Sequence, residues 1–227
     1  MARVCVTGSN RGIGLEFCRQ LSERGDAVIA VCRSASDELK KLAASAKDFA
    51  IVEGVDVSSE DGAKKLAAAP EITAQKLDVL INNAGILRSE SLGNLNVDSI
   101  REQFMVNSVG PLLITHALLG QLASPGKVAI VTSRMGSIAD NTSGGMYGYR
   151  MSKTAVNMAG VSLAHDLKDR KIAVGILHPG YVKTDMTNHN GMIEPQESVK
   201  GMLARLDELT LDTSGHFWHT NGEALPW

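Results

Sequence analysis

The 227-residue sequence predicts an α/β protein: a doubly wound parallel sheet of six to seven strands with helices on both faces. Three observations lead there. Short, continuously apolar runs alternate with helical patterns along the whole chain, as βαβ units require. A glycine-rich turn joins the first apolar run directly to the first helical one. No internal repeat or low-complexity linker interrupts the alternation, so residues 1–227 form one domain of a length α/β folds reach undivided.

The elements follow in order. Arg3–Thr7 is a first buried strand. From Gly12 to Arg24, Ile13, Phe17, Cys18 and Leu21 share a helical stripe, and Gly25 stops the helix. Ala27–Cys32 is the second strand, and a helix through Leu39 and Leu42 follows. The third strand lies within Phe49–Val57, then a short Ala-rich helix over Ser59–Ala68, closed by Pro70. Asp78–Asn82 is the fourth strand. Val97–Leu122 reads as one long helical stretch, bent or divided at Gly110-Pro111. Lys127–Thr132 is the fifth strand, Tyr149–Asp169 a long helix and Lys171–Leu177 the sixth strand. Pro195–Glu208 is a late helix, and His216–Thr220 is the candidate seventh strand.

Composition narrows the function. Net charge is −2 and the basic residues are scattered, which argues against nucleic acid and against a polybasic membrane patch. No apolar run approaches the ~18 residues of a membrane span. Cys5, Cys18 and Cys32 form no C-x-x-C pair, which points away from disulfides and zinc and towards the cytoplasm. The histidines His178, His189, His216 and His219 lack metalloprotease spacing, so no metal is expected. Most of the nine methionines read as core filler; Met135, Met146 and Met186 fall near the candidate pocket.

The turn Gly8-Ser9-Asn10-Arg11-Gly12-Ile13-Gly14 follows a strand and opens a helix. Glycines there allow a tight turn and let backbone N–H groups approach a pyrophosphate, which the helix N-terminus also attracts. The arrangement suits the nucleotide-binding end of a Rossmann-type sheet, with a glycine-rich turn that holds no ligand as the bland alternative. The second strand ends at Cys32-Arg33-Ser34. An acid at that point would bind a ribose 2′-hydroxyl; Arg33 instead suits a 2′-phosphate, with Arg11 as a second cation. The expected cofactor is therefore NADP(H). Asp37 is the alternative acid, although its spacing suits a helix start.

Lys153 follows Tyr149 by four residues, one helical turn. An ammonium there favours the phenolate, as proton transfer near neutral pH requires. Tyr147 has Met151 at the same offset and lacks this partner.

These motifs, with Asp56-Val57, Asn82-Asn83-Ala84-Gly85, Asn107, Ser133 and Pro179-Gly180-x-x-x-Thr184, make the chain resemble the short-chain dehydrogenase/reductase family over nearly its full length. Thr132–Ser137 and the final Leu225-Pro226-Trp227 are similar to its C-factor and sniffer-like carbonyl reductase branch. The resemblance implies that Tyr149 is the general acid, that Ser133 holds the carbonyl oxygen, and that Lys153 holds the nicotinamide ribose. It makes Asn107 the holder of a relay water. It places Gly8, Asn10, Arg11, Gly12, Ile13 and Gly14 along the dinucleotide, and Asp56 and Val57 at the adenine. Asn83, Ala84 and Gly85 lie along the adenine ribose, with Asn82 bracing the sheet. Pro179, Gly180, Val182 and Thr184 lie along the nicotinamide. Bland alternatives stand beside these: Ser137 for Ser133, a structural amide for Asn107, and helix caps for Asp56 and Thr184. The 16-residue Ser133–Tyr149 spacing is longer than the family's and implies a small insertion in Ala139–Met146.

The expected function is reversible, NADPH-dependent reduction of a small or medium apolar ketone or aldehyde. The short segment between Thr184 and Pro195 implies an open pocket. The alternative is a C-factor-like nucleotide-binding signalling or interaction protein; an extended epimerase fits poorly, because only some forty residues follow Thr184. The resemblance also implies a homodimer, possibly a homotetramer.

Overall fold

The computed structural model describes residues 1–227. Seven parallel strands form one sheet in the order β3-β2-β1-β4-β5-β6-β7. They are β1 Arg3–Thr7, β2 Ala27–Val31, β3 Phe49–Val52, β4 Leu77–Asn82, β5 Leu122–Val131, β6 Ile172–His178 and β7 Phe217–His219. The helices are α1 Gly12–Glu23, α2 Asp37–Ser45, α3 Glu60–Ala68, α4 Pro70–Thr73, α5 Val97–Phe104, α6 Gly110–Ala117, α7 Tyr147–Asp166 and α8 Pro195–Glu208. The strand order reverses between β1 and β4, and at such a switch point the strand ends leave a crevice.

Strand alternation explains the two cores. On β1, Val4 and Val6 face the α1 and α8 side, where Phe17, Leu21, Met202 and Leu206 are buried. Cys5 faces the other way, towards Leu66 of α3, Ile114 of α6 and Val156 of α7. With helices over both faces, the strands read as continuously apolar runs and not as alternating ones. Gly160 lets α7 lie close to the sheet, since a β-carbon there would come within 2.7 Å of Ile176 Cδ1.

Several predicted boundaries move. The third strand ends at Val52 and not towards Val57, because Gly54 at φ +72° turns the chain and its N–H bonds to Arg33 O. Pro70 does more than close α3: it opens the separate short helix α4. The long helical stretch ends at Ala117, five residues early. Leu118 O instead accepts the N–H groups of Gln121 and Leu122 in a turn. Leu122 then already pairs with Leu77, so β5 starts before Lys127. The irregularity expected at Gly110-Pro111 is a wide π-helical turn over Met105–Val109. It sits just ahead of Gly110, whose missing β-carbon lets the chain approach Val57 O. The long helix near the site starts at Tyr147, and β7 is present.

Leu80 lies on central β4 with no exposed surface. Leu80→Ala is expected to cost about 2–5 kcal/mol, because the rigid sheet cannot close the cavity. Chemical denaturation checks this through a lowered midpoint at unchanged slope.

Candidate active site

The crevice begins at the glycine turn. Gly8 has φ +67°, and a β-carbon there would stand 2.7 Å from Ala84 Cα. At Gly14 a β-carbon would strike Gly8 O at 2.1 Å. Both positions therefore exclude any side chain. Arg11 occupies the N-cap position of α1 in extended conformation and provides no side-chain cap, so the first N–H groups of the helix face the crevice unclaimed by a cap. Thr7 Oγ1 accepts from Asn83 N (3.0 Å) and Ala84 N (3.1 Å), and Asn83 Nδ2 donates to Thr7 O (2.9 Å) and Gly8 O (3.2 Å). Bracing is thus shared: Asn82 ties β4 to Thr115 of α6, and Asn83 ties β4 to the glycine turn.

The rim beyond β2 carries exposed Arg33 and Asp56. Hydrogen bonds from the Ser58 side chain and backbone hold the Asp56 carboxyl below its usual range, and the Arg33 charge adds to this. Ser59, and not Asp56, caps α3. Asp37 is the first residue of α2, behind its cap Ser36. Arg11 does not join Arg33; it pairs across the crevice with Asp185 at 3.0 Å, and His189 reaches the same carboxylate at 3.2 Å.

At the C-terminal ends of β4 and β5, Ser133, Tyr149, Lys153 and Asn107 come together, all at most 7% exposed. Ser133 follows Thr132 at the end of β5, and its Oγ accepts Met135 N. Ser137, the competitor, spends its hydroxyl on Asp140 N in the following loop. Lys153 Nζ lies 5.8 Å from the Tyr149 ring centre and donates to Val131 O at 3.0 Å. Tyr147 begins α7 and is half-buried.

The expectation that Lys153 lowers the Tyr149 pKa is not met in this state. Burial pushes the phenol up to about 12, opposed by the neighbouring Ser133 hydroxyl. Burial also lowers the Lys153 ammonium to about 8. Both groups lose hydration, and the lysine turns to a carbonyl instead of a phenolate.

Asn107 lies in the π-helical turn. Its Oδ1 accepts Ile86 N at 2.8 Å, and its Nδ2 donates to Ile86 O (2.8 Å) and Ser152 Oγ (3.0 Å). Its amide is therefore largely occupied in holding the 86 segment against α7. Oδ1 still faces the patch over Gly85, where a β-carbon would lie 3.3 Å from Oδ1 and 3.6 Å from Lys153 Nζ.

The segment after β6 closes the far wall. Pro179 O accepts Ser198 Oγ at 2.6 Å, Gly180 has φ +84°, and Val182 is buried and bridged to Ile193. Thr184 precedes a short turn over Asp185–Thr187, and its methyl faces Gly12. The segment therefore reaches back to the glycine turn across the crevice. Asn10 anchors the turn on the other side, its carbonyl accepting Ser36 Oγ.

The sequence motif includes Thr7 without showing its bracing role, and it marks neither Asp185 nor the buried Glu90. The last bonds to α5 and α7 from a segment with no periodicity to mark it. A glycine flanked by two tyrosines at the start of α7 is the one local sign that something presses there.

The profile of the short chain dehydrogenase family matches residues 2–193. The chain belongs to the short-chain dehydrogenase/reductase family. As a member of that family it is an oxidoreductase. This short-chain dehydrogenase is 40% identical, over the full length of both chains, to 1-hydroxy-2-glutathionyl-2-methyl-3-butene dehydrogenase of Rhodococcus sp. (strain AD45). It is 42% identical over 164 residues to C-signal of Myxococcus xanthus, covering 71% of this chain and 99% of that one. Its structure matches the NADPH-bound carbonyl reductase from chicken fatty liver with a TM-score of 0.93 at 32% identity, covering 100% and 99% of the two chains. It matches carbonyl reductase Sniffer of D. melanogaster with a TM-score of 0.94 at 31% identity over all of both chains. No helix is long and apolar enough to cross a membrane.

The buried ammonium has a consequence for stability. Lys153 titrates near 8 when folded and near 10.5 when unfolded. Between those values the unfolded chain holds the extra proton, so this group makes stability rise with pH. Lys153→Met removes that rise. The denaturation midpoint of the variant relative to wild type is expected to be higher at pH 7 than at pH 9.5. A difference independent of pH would contradict it.

Proposed function

We propose that the protein is an NADP(H)-dependent carbonyl reductase acting reversibly on ketones or aldehydes and the corresponding alcohols. The observation that carries this is the convergence of Ser133, Tyr149 and Lys153 at the strand ends, in a fold whose first strand runs through a tight glycine turn into the uncapped start of α1. The turn suits a dinucleotide: Gly8 and Gly14 let it pack against Ala84 and onto itself, so that a pyrophosphate would meet the backbone N–H groups at the start of α1, which no side chain caps. Asn10, Ile13, Asn83, Ala84 and Gly85 line it, Asp56 and Val57 flank the adenine end, and Pro179, Gly180, Val182 and Thr184 the nicotinamide end. Arg33 would hold the 2′-phosphate, and Arg11 joins it when released from Asp185. When bound, this cofactor supplies or accepts the hydride.

Tyr149 gives its proton to the carbonyl oxygen in reduction and takes it back in oxidation. Ser133 donates to the same oxygen and stabilises the charge developing there. Lys153, freed from Val131 O, binds the ribose hydroxyls; its cation then favours the Tyr149 phenolate. Asn107 and Lys153, which converge over Gly85, hold the water through which the proton is resupplied.

The glutathionyl alcohol in the name of the full-length Rhodococcus relative supports the oxidising direction as well. It also supports a pocket open to bulky substrates, as the short Thr184–Pro195 segment does. The NADPH-bound and carbonyl reductase neighbours support the cofactor and the reducing direction. A homodimer fits the exposed apolar surface of Phe104, Leu112, Met151 and Met158 on α5, α6 and α7, and light scattering measures it; the three free cysteines fit a cytoplasmic setting. The C-signal relative favours a second reading, a nucleotide-binding signalling module.

Tyr149→Phe separates the two. It is expected to lower carbonyl reduction about 100-fold or more while NADPH still binds. Retained turnover would refute Tyr149 as the acid. Arg33→Ala is expected to weaken NADPH binding roughly tenfold and leave NADH binding unchanged. Fluorescence titration reads both, and equal losses for the two cofactors would overturn the 2′-phosphate assignment.

A further inference from the structure

Glu90 lies in the segment between β4 and α5 and is 3% exposed. Its carboxylate has no surface outlet, so its charge must be met inside the fold. Oε1 accepts from Ser99 Oγ at 2.5 Å and from Gln103 Nε2 at 2.7 Å. Ser99 and Gln103 stand four residues apart on one face of α5. Oε2 accepts Gly148 N at 3.2 Å, and Glu90 O accepts Met146 N at 2.9 Å. All of these donors are uncharged.

Gly148 is the second residue of α7, and Tyr149 the third. The helix lacks a cap of its own. Its N-cap position is Met146, in left-handed conformation at φ 53°, with no side-chain hydrogen bond. A helix start leaves four N–H groups unpaired and carries partial positive charge. The buried carboxylate answers both needs from 58 residues away. The fit is tight: a β-carbon on Gly148 would come within 2.5 Å of Gln103 Nε2 and 3.1 Å of Glu90 Oε2. Gln103 Oε1 in turn accepts Arg88 N at 2.9 Å, so the network also sets the segment that leads away from Gly85.

We propose that Glu90, bridged by Gln103, is a positioning residue for catalysis: it caps α7 from a distant segment and so sets where the Tyr149 hydroxyl stands. Glu90 touches neither substrate nor cofactor; it acts through the first turn of α7. The inference rests on Tyr149 being the proton donor.

The test uses the full-length protein, NADPH and the best ketone from a substrate panel. Glu90→Ala is expected to lower kcat on the order of 10- to 100-fold, as a displaced catalytic group does. NADPH affinity, read by fluorescence, is expected to hold, because the glycine turn is untouched. The solvent deuterium isotope effect on kcat is expected to grow, since the misplaced proton donor becomes limiting. Glu90→Gln sets an amide NH2 against either the NH2 of Gln103 or the N–H of Gly148, whichever way it turns, and is expected to be impaired as well. Combining it with Gln103→Glu restores the pairing, with the new carboxylate accepting from the new amide and from Arg88 N. Most of the lost kcat is expected to return in this double variant.

Unchanged kcat in Glu90→Ala overturns the proposal. So does parallel loss of NADPH binding and circular dichroism without rescue in the exchanged pair, which marks a merely structural role. Tyr149→Phe distinguishes the failures. If it stays active, the proton-donor assignment falls and this inference with it. If it is inactive and Glu90→Ala is not slowed, this inference alone falls.

Discussion

Thr7 Oγ1 accepts two backbone N–H groups, from Asn83 and Ala84, and so fastens the end of β4 to the end of β1. The crevice exists because these two strands end side by side while the chain leaves them in opposite directions. Their approach is close enough that Gly8 has no space for a β-carbon beside Ala84. Asn83 repeats the link from its side chain, bonding back to Thr7 and Gly8. The floor of the site is therefore a backbone surface held by short polar side chains. That is what a ligand carrying phosphates and sugars can approach.

The wall opposite is α7, whose inner face is polar to an unusual degree. Ser152, Lys153 and Asn157 are all buried, and each has a partner. Ser152 accepts from Asn107, Lys153 donates to Val131 O, and Asn157 accepts from Thr132. An unpartnered polar group at this depth would cost about 1–3 kcal/mol, so these bonds fix the helix in rotation and along its axis. Dehydration that secures the helix also raises Tyr149 and lowers Lys153, moving each towards its neutral form. Near neutral pH the site thus holds a protonated phenol beside an ammonium that burial has made easier to deprotonate.

Much of this was legible in one dimension. The strand runs, the glycine turn and the Tyr149–Lys153 spacing are local patterns, and a helix or strand of fixed period places such residues without outside help. Where local pattern competed with longer-range contacts, it failed. Leu118 to Leu122 looks helical by its apolar content, yet Leu122 pairs with Leu77 and pulls the chain into β5. Arg11 looks like a partner for Arg33, yet Asp185, remote in sequence, draws it across the crevice. How the Asn107 amide is shared between Ile86, Ser152 and the space over Gly85 is likewise invisible in its local sequence.

The sequence by itself determined the doubly wound sheet, the glycine turn that opens α1 and the family to which the chain belongs. Periodicity, glycine spacing and side-chain type are sufficient for those. Only the tertiary structure decided the charge states and aim of the site residues, because both depend on burial and on partners remote in sequence. Glu90 shows this most plainly. Nothing near it in sequence marks it, and it has meaning only where its carboxylate meets the first turn of α7.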